Sequence, residues 1–176
     1  MRKLLATICT VLAASILYAA DGGTKVEVKG PHICCPQCVK VVGQILKKVD
    51  GVSDVKADRE SKTVTFTAKD DNAAKAGFVA LIEGGFYGKA TADGKELKSG
   101  LTAYKKGTKA DVITVKDVHV CCGACQKAIT AIFTDAKVSY TGNGPQKTVR
   151  IEGKDLEAAQ VIRSLHKTGF GGHVEN

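Results

Sequence analysis

The sequence predicts an α+β chain built from two copies of one small sandwich, each running β-α-β-β-α-β, behind a leader and around a polar linker. Three observations carry this expectation. The string His32-Ile33-Cys34-Cys35-Pro36-Gln37-Cys38 returns as His119-Val120-Cys121-Cys122-Gly123-Ala124-Cys125, with every position displaced by 87. Self-similarity at a fixed offset is the signature of a repeated structural unit. Period-two and helical apolar patterns then follow one another in the same order in both stretches. Finally, 176 residues of which 44% are hydrophobic suffice for two small cores.

Residues 1–20 read as a secretory leader rather than as part of the fold. Arg2 and Lys3 precede a short apolar run, Leu4 to Leu17, and small residues at Ala19 and Ala20 lead into Asp21-Gly22-Gly23. The run is too short for a membrane span. Cys9 falls inside it and is discarded with it. Removing the leader takes away only Arg2 and Lys3 from the charged residues, leaving 24 basic against 18 acidic ones. The excess is spread thinly, with no basic stripe and no interleaved aromatics, which argues against nucleic-acid binding. The composition also excludes an acidic disordered tail, a collagen and a polytopic membrane protein.

The first unit is read over residues 24–92. Thr24 to Lys29 alternates polar and apolar residues, as a half-buried strand does. The cysteine loop follows, and Val42, Ile45, Leu46 and Val49 then recur at helical spacing until Asp50-Gly51. Val52 to Ala57 and Lys62 to Ala68 read as a hairpin, Asn72 to Glu83 as a second helix, and a last strand begins at Phe86. The second unit, residues 112–176, repeats this. It has strands at Val112 to Val118, Ala136 to Tyr140 and Lys147 to Ile151, a helix at Asp155 to Lys167, and a last strand from Phe170. Val42, Ile45 and Leu46 return as Ile129, Ile132 and Phe133, and Gly85-Phe86 as Gly169-Phe170, the offset having dropped to 84. The order β-α-β-β-α-β is that of the ferredoxin-like sandwich. Residues 93–111, rich in Lys, Gly and Thr, read as a linker with one ordered turn around Leu101 to Tyr104.

The chemistry lies in the cysteines. A Cys-x-x-Cys pair straddling a loop and the first turn of a helix sets two sulfurs on one side at close range. The helix N-terminus favours the thiolate there. Two thiolates suit monovalent copper or mercury, whereas three with an imidazole suit tetrahedral zinc or cadmium.

With these residues in view, each half resembles a heavy-metal-associated domain, the module of copper chaperones, of copper-ATPase N-terminal domains and of the periplasmic mercury-binding protein. The resemblance implies that Cys35 with Cys38, and Cys122 with Cys125, bind metal. It also implies that Phe86 and Phe170 occupy the turn position that shields the ion. The family pattern Gly-Met-x-Cys-x-x-Cys is altered in both copies alike. Met becomes Ile33 and Val120, Gly becomes His32 and His119, and a third cysteine, Cys34 or Cys121, precedes the pair. The ligand set is thus enlarged to His-x-Cys-Cys-x-x-Cys.

Other readings stand beside these. The Cys-x-x-Cys pairs could close as disulfides in an oxidising compartment. Cys34 and Cys121 could point away, as neighbours in an extended loop do. His32 and His119 could be packing residues, and Phe86 and Phe170 core. His173 is an additional candidate ligand, and His166 reads as a helix-surface residue. The expected function is that of a periplasmic or secreted, non-enzymatic protein that sequesters, buffers or transfers a thiophilic metal ion, one ion per independently folding half. The resemblance favours copper(I), with zinc, mercury and cadmium as alternatives, and it implies a metal-transporting ATPase or another metal-handling protein as partner. No membrane insertion is expected once the leader is removed. The competing reading is a thiol-disulfide oxidoreductase. It is disfavoured by the lack of Trp and by the scarcity of proline, present only at Pro31, Pro36 and Pro145.

Overall fold

A computed structural model describes residues 22–99 and 109–175; the leader, Cys9 and the turn expected at Leu101 to Tyr104 lie outside the described residues. Two antiparallel sheets are present, each accompanied by two helices and each with its own core.

The first sheet orders its strands β2-β3-β1-β4-β5. Strand β1 (Thr24–Lys29) is central, and Val26 and Val28 point into the core opposite Phe66 and Val64 of β3 (Thr63–Ala68). Strand β2 (Val52–Asp58) forms the edge, and its pairing with β3 is broken by a bulge between Ser53 and Lys56. Helix α1 (Pro36–Leu46) buries Cys38, Val41, Val42 and Leu46. It begins where the fixed φ of Pro36 suits the first helical position. Helix α2 (Asp71–Glu83) starts at Asp70, whose carboxylate accepts the Ala73 N–H at 2.8 Å. Strand β4 (Lys89–Ala92) then pairs with β1.

The stretch expected to be linker is partly sheet. Strand β5 (Lys95–Leu97) folds back on β4 through Asp93 and Gly94, both at positive φ, 47° and 79°. An Asp-Gly pair at two positive φ angles is the chemistry of a tight hairpin turn, so the five-stranded sheet runs past the repeat boundary.

The second sheet is ordered β7-β8-β6-β9. Strands β6 (Lys109–His119) and β8 (Gln146–Glu157) are longer than their counterparts and pair from His119 with Gln146 as far as Lys109 with Glu157. Helix α3 (Gly123–Thr130) buries Cys125 and Ile129, and strand β7 (Lys137–Thr141) is the edge. Helix α4 (Ala158–Lys167) begins three residues later than the sequence pattern suggests. Asp155 lies at a positive φ of 54°, outside the right-handed helical region, and Leu156 and Glu157 stay paired with Ala110 and Lys109 in the β6–β8 ladder. The short β9 (His173–Val174) pairs with β6.

The halves meet along their cysteine loops and the turns that follow α2 and α4. The carbonyl of Gly169 accepts N–H groups from both His32 and Tyr87 at 3.0 Å, and the Gly171 N–H donates to Gly85 at 2.8 Å. Phe86 and Phe170 form an antiparallel bridge. Glycine is required at both turns. A Cβ on Gly85 (φ +90°) would stand 2.1 Å from the His119 nitrogen, and one on Gly169 (φ +88°) 2.3 Å from the Gly30 oxygen.

Candidate metal centre

Each loop leaves its first strand, passes His, an apolar residue and two cysteines, and enters a helix. Ile33 and Val120 are buried, each anchoring its loop in the core below. Cys35 and Cys122 stand at the cap positions of α1 and α3, in extended conformation, and neither side chain makes a capping hydrogen bond. Their sulfurs face the neighbouring thiols instead. Cys38 and Cys125, in the first helical turns, are buried, and Cys34 is exposed.

The two loops do not form separate sites. Within each half, Cys35 lies 3.6 Å from Cys38 and Cys122 lies 3.7 Å from Cys125. Across the halves, Cys34 lies 3.5 Å from Cys125 and 3.7 Å from Cys122, while Cys121 lies 3.4 Å from Cys35 and 3.7 Å from Cys38. All six sulfurs are free thiols, and none is near the length of a disulfide bond, about 2.05 Å. Two sets of four could each hold an ion: Cys34, Cys35, Cys38 and Cys121, and Cys34, Cys121, Cys122 and Cys125. Each set takes a thiol from the other half. The adjacent cysteines, which an extended loop would splay apart, both reach the centre because the second half approaches from the opposite side.

The electrostatics cross the same boundary. Hydrogen bonding to Cys125 holds the Cys38 thiol far below its ordinary value, at about 2. The Cys125 thiol is raised in turn, first by its bond to Cys38. The backbone amide of Cys125 brings Cys122 down to about 7. Withdrawal from water pushes Cys34 up to about 12 and raises Cys121 as well. The thiols most inclined to ionise are thus Cys38 in the first half and Cys122 in the second.

The histidines take other places. His119 is completely buried and stacks on Phe86 of the first half at 4.4 Å, while His32 stacks on Phe170 of the second at 4.2 Å. Neither joins a ligand set. Both ring nitrogens of His119 and Nε2 of His32 are buried without hydrogen-bond partners. Burial holds His32 below its ordinary pKa. His173 lies on β9, 3.4 Å from Asp117, and belongs to neither set. His166, read from the sequence as a helix-surface residue, is an interface residue. Its ring lies 3.6 Å from that of Tyr87 with 4° between the planes. Sequence reasoning missed the contact of Tyr87 with His166 because it joins two halves across 79 positions, and the repeat places Gly171 and Ile82 at the corresponding positions.

Residues 31–86 match the family model of the heavy-metal-associated domain, a span that covers the first cysteine loop and ends at Phe86. No curated protein matches the chain. The first half thus carries a heavy-metal-associated domain, and its cysteine cluster is suited to a metal ion.

Proposed function

We propose that the chain is a non-enzymatic, exported metal-binding protein that sequesters, buffers or hands on a thiophilic ion through duplicated His-x-Cys-Cys-x-x-Cys loops. The observation that carries this reading is the convergence of six free thiols, from two loops 87 positions apart, on one place. The unmatched second half supports a duplicated ferredoxin-like unit, because β6 to β9 follow the strand order of β1 to β4 and present the same three cysteines. Export is supported by the leader-like composition of residues 1–20. The heavy-metal-associated match is compatible with copper(I), and the sets of four thiols suit zinc, cadmium or mercury as well. Exposed Cys34 gives an incoming thiolate of a metal-transporting ATPase, or of another metal-handling partner, a place to begin ligand exchange.

The test is alkylation of reduced, full-length protein under anaerobic conditions, with and without one soft metal. Loading should protect Cys35, Cys38, Cys122 and Cys125, and a chelator should restore their reactivity. Metal-free protein that instead reduces insulin with multiple turnovers would replace this reading with that of a thiol-disulfide oxidoreductase.

A further inference from the structure

We infer that the six thiols form one binuclear centre for a pair of tetrahedral divalent ions of the zinc and cadmium class, with Cys34 and Cys121 each bridging both ions. This rests on the soft-metal reading above and adds nuclearity, ligand roles and a class of metal to it.

The number of donors sets the arrangement. Two tetrahedral ions bound separately need eight donors, and the centre has six. The two sets of four overlap in exactly the pair Cys34 and Cys121. Two tetrahedra that share an edge need six donors, two of them common to both. The lengths agree with that arrangement. Sulfurs bound at about 2.3 Å to a tetrahedral ion lie about 3.8 Å from one another. In the first set Cys34–Cys38 is 3.8 Å, Cys35–Cys38 3.6 Å, Cys35–Cys121 3.4 Å and Cys38–Cys121 3.7 Å. In the second, Cys121–Cys125 is 3.9 Å, Cys122–Cys125 3.7 Å, Cys34–Cys122 3.7 Å and Cys34–Cys125 3.5 Å. The remaining edges of each set lie within 4.8 Å. Exchanging the two halves carries each of these edges onto its counterpart, so the ions would occupy matching places whose surroundings differ, with Pro36 and Gln37 beside one and Gly123 and Ala124 beside the other.

Coordination by sulfur is then complete, and neither histidine is needed as a fourth donor. Six thiolates and two divalent ions leave a net charge of −2. That charge is met by the amino ends of α1 and α3, where Cys35 and Cys122 stand at the cap positions. The inference also explains the third cysteine of each loop. A Cys-x-x-Cys pair alone gives each ion two donors, and the two added residues, Cys34 and Cys121, give each ion two more because each serves both.

The experiment is loading of the reduced full-length chain with cadmium-113, followed by native mass spectrometry and cadmium NMR. The expected result is two ions per chain and two resonances, each split by the other through the shared sulfurs. Cys34→Ser and Cys121→Ser should each displace both resonances and alter the splitting, because each removes one of the two bridges that both ions share. Cys35→Ser and Cys122→Ser should each displace chiefly one. Uptake of a single ion, or two unsplit resonances of which Cys34→Ser moves only one, would overturn the binuclear centre while leaving soft-metal binding intact. No cadmium uptake at all, with every thiol still open to alkylation, would overturn both.

Discussion

His166 shows how a single side chain couples the docking of the halves to acidity. Burial holds its imidazole at about 4, against an ordinary value of 6.5, and its Nε2 is buried without a hydrogen-bond partner. The folded protein therefore prefers the neutral ring, while the unfolded chain takes up a proton near 6.5. The resulting stability is fully present above about 6.5, declines as pH falls toward about 4, and is level below that. One proton can change stability by no more than about 1.4 kcal/mol per pH unit, and the partial exposure of this ring lowers that figure. Urea unfolding of chelated wild type and of His166→Phe, which keeps a ring against Tyr87, checks this. The variant should gain on the wild type as pH drops from 6.5, and parallel curves would show that His166 carries no such linkage.

At the scale of elements, the helix starts divide by task. Helix α2 has a true cap in Asp70, and Asp70→Ala should cost about 1 kcal/mol in thermal or urea unfolding without altering metal stoichiometry. Helices α1 and α3 have cysteine at the same position and no side-chain cap, so the thiol is kept for the centre at the expense of the helix end. Much of this was legible in the sequence. The alternation of Val26 and Val28 and the helical spacing after Cys38 placed β1 and α1, because both patterns report a buried face directly. The cysteines of the cluster were legible as a candidate site because the loop occurs twice. The turn at Asp93-Gly94 was hidden by the Lys- and Gly-rich stretch around it. The late start of α4 was hidden because periodicity continues through Asp155, which the structure places at a positive φ of 54°. What no local pattern could give was the meeting of the loops. Periodicity describes how an element faces its own core, and here the decisive contacts join two cores.

For the whole molecule, this meeting changes what the expectation of one ion per half means. Each half has a core of its own, yet Cys121 packs against both, and each four-thiol set is incomplete without the other half. The metal centre is thus a property of the docked pair. The Gly169 carbonyl that accepts N–H groups from His32 and Tyr87 has a consequence for solvent exchange at those amides. His32 and Tyr87 lie in connecting segments, and neither N–H has a partner of this kind within its own half, so both should trade deuterium quickly whenever the halves part. Their exchange rates, with that of Gly171, measure the opening of the interface rather than the unfolding of either core. Deuterium uptake by full-length protein should therefore fall at these three positions when metal is added, while the Val26 and Val149 amides, within the sheets, stay slow throughout. Equal uptake at His32, Tyr87 and Gly171 with and without metal would mean that the halves hold together whether or not an ion joins them.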